Sequence, residues 1–155
     1  MILVERAAFA LERNAHRPGV RVSLDLERIL TGGSLFWPHG QTSKIDQHDH
    51  NRITEDGAEA VALALAYHHR EWRVVRRMQR WEHADWLLED TQGGEHKSVA
   101  LEVSGVDRGS VNQRLAEKLT QVAKIINVSQ RWACVVGFEE PRAVLRFAGE
   151  QLHGN

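Results

Sequence analysis

The chain has 155 residues, of which 42% are hydrophobic and 26% are charged, and its formal net charge is −1 at pH 7. These values are typical of one globular domain, and the near-neutral charge argues against a surface covered with phosphate-binding residues. No apolar run approaches the roughly 20 residues that a transmembrane helix needs. Met1–Ala15 mixes charged with apolar residues, unlike a secretory signal, and Cys134 has no partner for an intrachain disulfide. We therefore expect an intracellular, cytoplasmic protein without a membrane span.

The first third of the chain predicts a helix, a strand and a polar loop. Apolar residues at helical spacing predict a helix over 2–11, and strict alternation predicts a half-buried strand over 20–26. The tetrapeptide at 31–34, Thr-Gly-Gly-Ser, has the composition of a turn, and we expect a short return strand to begin at 35–37. The polar stretch at 40–51 predicts a loop. Residues 1–52 thus form an extension packed on the rest of the domain.

The remaining residues, 53–155, predict an α/β core. The elements are a helix over 54–69 capped by Thr54, a strand over 72–79, a hairpin over His83–Val106, a helix over 110–125 capped by Ser110, and a buried strand over 132–138. After Pro141 we expect only a short element and a frayed tail. The predicted fold class is α/β: a single three-layer domain whose central mixed sheet carries the antiparallel hairpin and is flanked by helices.

Two acidic residues, Asp85 and Glu102, lie in the two apolar runs of the hairpin, which are separated by Gly93-Gly94. A tight two-residue glycine turn would place Asp85 opposite Glu102 on one face, with Cβ atoms about 5 Å apart. Like charges so placed repel, and Mg²⁺ favours sites made of one or two carboxylates and water. The pair therefore predicts a magnesium site.

Two alternatives to this site remain open at the level of sequence. The hairpin could have a longer loop, over Thr91–His96, without direct pairing of the two acids. A structural salt bridge, for instance from Arg73 or Arg77, would also explain one buried carboxylate.

A cluster of arginines lies just before the hairpin, together with Trp72 and Trp81. Such a cluster could contact a nucleic-acid backbone. It is equally typical of an edge strand that is protected from aggregation by its charge. The members are Arg70, Arg73, Arg76, Arg77 and Arg80.

Three other kinds of site are disfavoured. The loop residues Asp46, His48, Asp49 and His50 could ligate zinc, but their spacing fits no closed tetrahedral pattern. Ser34 and Ser104 lack the glycine elbow of serine hydrolases. The glycine pairs lack the Lys-Ser/Thr ending of a phosphate-binding loop.

The order of elements and the placement of acidic residues resemble the PD-(D/E)XK, or restriction-endonuclease-like, nuclease superfamily. The resemblance is strongest to its compact branch, which contains Holliday junction resolvases, and covers roughly Ile53–Phe138. Gly57-Ala58-Glu59 is similar to that branch's helix opening, so Glu59 or Glu55 would be the helix carboxylate. Asp85 matches the motif aspartate, and Leu101-Glu102-Val103-Ser104 matches the strand that ends in Glu-x-Lys.

The departure from the family's pattern is Ser104, which stands where the family has a lysine. A neutral hydroxyl cannot supply the electrostatic part of that lysine's role. In some members the lysine comes from the following helix, and Lys118 and Gln121 lie three residues apart on one face there. The alternative is that catalysis has been lost and the fold kept for binding.

The resemblance implies metal-dependent hydrolysis of DNA phosphodiesters. Its catalytic residues would be Asp85, Glu102, Ser104, Lys118 and Gln121. Mg²⁺ or Mn²⁺ would be held by Asp85 and Glu102, with Glu59 or Glu55 as a further ligand, directly or through water. The DNA backbone would be contacted by Arg73, Arg76, Arg77, Arg80 and Arg108. The alternative function is a degenerate, non-catalytic subunit or DNA-binding module, and a homodimer or a partner subunit is compatible with either.

Overall fold

The computed structural model describes residues 2–38 and 49–150, which form three helices and seven strands. The helices are α1 (Ile2–Arg13), α2 (His50–Arg70) and α3 (Val111–Val122). The strands are β1 (Val20–Leu26), β2 (Ile29–Leu35), β3 (Arg73–Arg77), β4 (Trp86–Asp90), β5 (Lys97–Val106), β6 (Gln130–Gly137) and β7 (Arg142–Glu150). None of the helices in these residues is both long and apolar enough to cross a membrane.

All seven strands belong to one mixed sheet, in the order β2-β1-β7-β6-β5-β4-β3. The pairs β1·β7 and β5·β6 are parallel, and the other neighbours are antiparallel. From α2 onward the chain runs helix, three strands, helix, strand. The predicted α/β class, the mixed sheet and this element order are confirmed.

The two faces of the sheet carry separate cores because alternate residues of each central strand point to opposite sides. Leu101 and Val103 of β5 pack on the side of α1 and α2. Ala100, between Val99 and Leu101, packs on the other side with Leu115 of α3. The helices therefore flank the sheet on both faces, as expected, and β5 is buried along most of its length.

The predicted turn at residues 31–34 is wrong, because this segment lies in the middle of β2. The chain instead reverses at Glu27 and Arg28, which have φ of 53° and 71° and join Leu26 directly to Ile29. Neither residue is a typical choice for positive φ.

The expectation of a short closing element is also wrong. β7 is a nine-residue strand at the middle of the sheet, between β6 and β1. It connects the N-terminal hairpin to the rest of the sheet, because Ser23–Leu26 of β1 pair in parallel with Arg142–Leu145.

The start of α2 also differs from the prediction. The helix begins at His50, and its N-cap is Asp49, whose carboxylate accepts a hydrogen bond from Arg52 N. Thr54, the predicted cap, is buried one turn inside. Its hydroxyl donates to His50 O at 2.9 Å and accepts from the Arg13 guanidinium at 3.0 Å.

Two glycines allow α2 to lie close to its neighbours. A Cβ at Gly57 would lie 2.9 Å from Ala7 Cα in α1. A Cβ at Gly105 in β5 would lie 2.4 Å from Thr54 O. These contacts position the first two turns of α2 against the end of β5.

We predict that Gly105→Ala lowers the free energy of unfolding by about 2 kcal/mol or more, because the new methyl group overlaps α2 backbone and an overpacked core is strained. Gly33→Ala is the matched control, since a Cβ there would make only ordinary contacts of 3.5 Å with the side chains of Leu24 and Val22. Urea unfolding of both variants measures the difference, and equal stability of the two would contradict the close approach.

Candidate active site

The two strands of the hairpin pair in the predicted register. Trp86 lies opposite Leu101, Leu88 opposite Val99, and Asp90 opposite Lys97. The tight turn itself is not formed: the ladder stops at Asp90 and Lys97, and the connection is the longer alternative, with Gly93 and Gly94 at φ of 79° and 78°. The loop is thus longer than a two-residue turn, while the register is the one that such a turn would set.

The candidate site lies where β4 and β5 separate. β4 begins at Trp86, so the outer edge of β5 has no strand partner beyond Leu101. Two carboxylates take the place of that partner. Asp85 Oδ2 accepts a hydrogen bond from Val103 N at 2.8 Å, and Glu55 Oε2 accepts one from Gly105 N at 2.9 Å.

Asp85 and Glu102 are brought together in this notch. Glu102 is only 3% exposed. Burial, followed by the nearby negative charge of Asp85, raises the pKa of Glu102 to about 7, although Lys118 opposes the shift. The pKa of Asp85 is also raised, first by burial, while the Val103 N–H and the charges of Lys118 and Arg77 oppose it. Two acids so placed strongly favour a shared proton or a shared cation.

The cation that the structure provides is Lys118. Its Nζ lies 2.6 Å from Glu102 Oε1 and 3.3 Å from Gln121 Oε1. α3 begins at Val111 with Ser110 as its N-cap, as the sequence predicts, and so presents Lys118 and Gln121 on the face toward β5. Lys118 of α3 therefore contacts Glu102, which lies two residues before Ser104.

Ser104 contacts α2 instead of the acidic pair. Its hydroxyl, which is buried, donates to Glu55 Oε1 at 3.1 Å. Glu55 thus accepts hydrogen bonds from both Ser104 and Gly105, and its negative charge still contributes to the raised pKa of Glu102.

The second helix carboxylate, Glu59, is paired with Arg77 from β3. Glu59 is buried and its pKa is raised, chiefly by that burial, with Arg77 opposing the shift and Asp85 adding to it. The guanidinium of Arg77 also lies 5.0 Å from the ring centre of Trp86. Sequence reasoning missed the pair of Arg77 with Glu59, since no local pattern connects a residue of α2 with one of β3.

A metal would find two oxygen ligands here. Within residues 2–38 and 49–150 no three His, Cys, Asp or Glu side chains are grouped closely enough to hold an ion. The other two carboxylates have partners in the protein. Glu55 accepts hydrogen bonds from Ser104 and Gly105, and Glu59 pairs with Arg77. The donor set of Asp85 and Glu102 is nevertheless the hard, anionic type that suits Mg²⁺ or Mn²⁺, which usually keep several water ligands.

The arginine cluster is partly occupied by internal contacts. Arg76 donates to both oxygens of Glu82, at 2.8 and 2.7 Å, and this pair lowers the pKa of Glu82 to about 2. Arg70 pairs with Glu27 and lies 4.8 Å from the ring centre of Trp132. Three of these arginines lie on β3, which is an exposed edge strand. This position agrees with the alternative that their charge protects the edge of the sheet from aggregation.

The other predicted nucleic-acid contacts are exposed. Arg73, Arg80 and Arg108 have no ion pair within the part of the chain that the structure describes. Trp81 is 75% exposed on a short helical turn between β3 and β4, and the bonds of Glu82 to Arg76 and to Gln79 N hold this turn. An exposed aromatic ring beside arginines is a surface on which bases can stack.

The zinc site that the sequence disfavours can be followed at only two of its four residues. Asp46 and His48 lie outside the described residues. Asp49 caps α2, and His50 Nδ1 lies 2.7 Å from the Arg13 guanidinium.

Comparisons with protein-family models, with curated proteins and with solved structures found no match. The site is therefore interpreted from its own geometry and from the chemistry of its residues.

We predict that protein stability falls as the pH rises from about 4.5 to 7, and that Glu102 causes much of the fall. A raised pKa means that the folded state holds a proton that the unfolded state has lost in this window, so the stabilisation that protonated Glu102 contributes is fully present below about 4.5 and is lost as the pH rises through about 7. The shift corresponds to a loss on the order of 3 kcal/mol. Glu102→Gln, which cannot ionise, should flatten the profile in urea unfolding between pH 5 and 8.

Glu117→Gln is the control, because Glu117 is an exposed residue of α3 whose one ion pair among residues 2–38 and 49–150 is with Arg114. It should keep the profile of the unmodified protein. An equally steep fall in the Glu102 variant would mean that another group causes the pH dependence.

Proposed function

We propose that this protein is a restriction-endonuclease-like nuclease that hydrolyses DNA phosphodiesters with a divalent cation. The observation that carries the proposal is the buried Glu102 beside the half-buried Asp85, set against Lys118 at an open strand edge. Like charges held together away from water are costly to fold. Clusters of perturbed carboxylates of this kind occur mainly at functional sites.

The arrangement of elements supports the fold part of the proposal. The run from α2 to β6 is helix, three antiparallel strands, helix and a strand parallel to the third. Its acidic residues lie at the positions that the resemblance implies: Glu55 and Glu59 on the first helix, Asp85 before the second strand, and Glu102 on the third.

Asp85 and Glu102 would hold Mg²⁺ or Mn²⁺. When bound, such an ion supplies an activated water and stabilises the charge that develops on the phosphate. The backbone of β5 positions both acids. Val103 N–H donates a hydrogen bond to one oxygen of Asp85, and Glu102 itself lies on this buried strand. Glu59 lies near Asp85, whose charge helps to raise the pKa of Glu59, and Arg77 balances both carboxylates.

Lys118 would replace the lysine that the family carries on the strand. Its ammonium already contacts the carboxylate of Glu102, and Gln121 accepts a hydrogen bond from it. A cation at this position can stabilise negative charge that builds up on a phosphate during hydrolysis. Ser104 would support the site indirectly, by orienting Glu55.

A second candidate is a DNA-binding or scaffolding module that has lost catalysis. It is favoured by one specific observation: each acid of the cluster already has a partner within the protein. Glu102 pairs with Lys118, Glu59 pairs with Arg77, and Glu55 binds Ser104. Such pairs could serve structure alone.

Metal binding distinguishes the two candidates. We predict that millimolar Mn²⁺ or Mg²⁺ raises the melting temperature, because a ligand of the folded state stabilises it. The rise should be larger at pH 8 than at pH 6, since a protonated Glu102 cannot bind an ion. Asp85→Asn and Glu102→Gln should each abolish it.

Two controls accompany this titration. Glu117→Gln should keep the full metal response, because its carboxylate lies on the exposed face of α3. Na⁺ at equal ionic strength reports general screening of charge. A response that survives both site variants would place any bound ion elsewhere and would favour the second candidate.

Cleavage tests the role of Lys118. We predict that Lys118→Ala lowers the rate of Mn²⁺-dependent cleavage of branched, single-stranded or duplex DNA by about 10²-fold or more, the size of effect seen when a charge-stabilising donor is removed. Lys124→Ala is the control, because Lys124 is exposed just beyond the end of α3.

The outcome is informative in both directions. Full activity in the Lys118 variant would show that another group stabilises the phosphate. No cleavage by the unmodified protein on any of these substrates, together with measurable DNA binding, would support the non-catalytic candidate.

A further inference from the structure

The two edges of the sheet differ sharply in how they are protected. β3, at one edge, carries Arg73, Arg76 and Arg77 and has an irregular register after Val74. Charges and bulges of this kind prevent edge strands from pairing with other chains. β2, at the other edge, has the sequence Ile-Leu-Thr-Gly-Gly-Ser-Leu, pairs with β1 without interruption, and contains no charged residue.

Within the described residues β2 has no strand on its outer side, and this edge exposes backbone groups at alternate residues. The two-residue turn makes Leu26 and Ile29 a hydrogen-bonded pair, so the odd-numbered residues of β2 bond to β1. Consistently, Leu35 O accepts a hydrogen bond from Gly19 N at 2.7 Å. The N–H and C=O groups of Leu30, Gly32 and Ser34 therefore point outward, and Leu30 itself is 73% exposed.

Gly32 lies at the centre of this edge and has no reason within the chain to be glycine. Its φ is outside the left-handed region, and a Cβ would meet nothing nearer than 3.9 Å. A glycine inside a strand weakens it, and often marks a place where another backbone approaches closely.

We propose that β2 pairs with β2 of a second copy of this chain, antiparallel and centred on Gly32. In this register Leu30 lies opposite Ser34 of the other copy, and Gly32 lies opposite Gly32. Every outward N–H and C=O of the three residues then gains a partner. The two sheets join into one continuous sheet with a two-fold axis, which is an isologous interface.

The charges and exposed side chains next to β2 favour a second copy over an unrelated strand. Self-pairing brings no like charges face to face, because the strand is neutral. In the same register the exposed Arg28, in the turn just before β2, would come near Phe36 of the other copy, which is 78% exposed. A guanidinium and an aromatic ring attract each other, so both ends of the interface are complementary.

Charge pairs at the two-fold axis test the proposal. Gly32→Lys and Gly32→Glu each place like charges directly opposite, and each should weaken the dimer by roughly tenfold or more. Mixing equal amounts of the two variants should restore a dimer that contains one of each, which analytical ultracentrifugation and ion-exchange chromatography detect. The open space around Gly32 lets both variants fold, which circular dichroism checks.

Val74→Lys is the matched control, because it adds the same charge to an exposed residue at the opposite edge. It should leave the dimer unchanged. At roughly 100 µM protein, even a dimer with a micromolar dissociation constant is well populated. If the unmodified protein stays monomeric at this concentration, the proposal is overturned. A dimer that is indifferent to both Gly32 variants, or fails to reform on mixing, would overturn it as well.

Discussion

The placement of two acids, the buried Glu102 and the half-buried Asp85, beside an unpaired strand edge is the constraint on which the site depends. β5 extends for several residues beyond its pairing with β4, and the N–H groups of this unpaired part need hydrogen-bond acceptors. Asp85 satisfies Val103 N, and Glu55 satisfies Gly105 N. This solution brings negative charge into a largely apolar region, next to Glu102, and the charge must in turn be balanced. The candidate site is thus a direct consequence of strands of unequal length.

The helices on both faces supply that balance. α3 brings Lys118 to Glu102 from one side of the sheet. From the other side, Gly57 and Gly105 let α2 lie close enough for Glu55 and Glu59 to reach the notch, where Arg77 pairs with Glu59. The close approach of backbones and the placement of charges therefore belong to one arrangement, in which a change at a glycine also changes the electrostatics of the acids.

The sequence predicts the structure correctly where neighbouring residues determine it, as in an alternating strand or a hairpin centred on two glycines. The alternation in β1 predicted its bounds, and the placement of Gly93-Gly94 predicted the register that joins β4 to β5. The prediction failed where distant partners decide the structure. β7 is a strand because β6 and β1 pair with both of its edges, and the turn at Glu27 and Arg28 has no sequence signature. The ion pair of Arg77 with Glu59 has no local signal either.

The position of the lysine has a consequence for how the site could work. A lysine on β5 would share the rigidity of that buried strand, whereas Lys118 reaches the site from a helix by a long, flexible side chain. A divalent ion and the Lys118 ammonium are attracted to the same carboxylate of Glu102, so binding of one weakens the hold of the other. Gln121, 3.3 Å away, would keep a released ammonium near the notch. In the proposed nuclease, an ion held by Asp85 and Glu102 would thus leave the Lys118 ammonium near enough to the site to contact a phosphate.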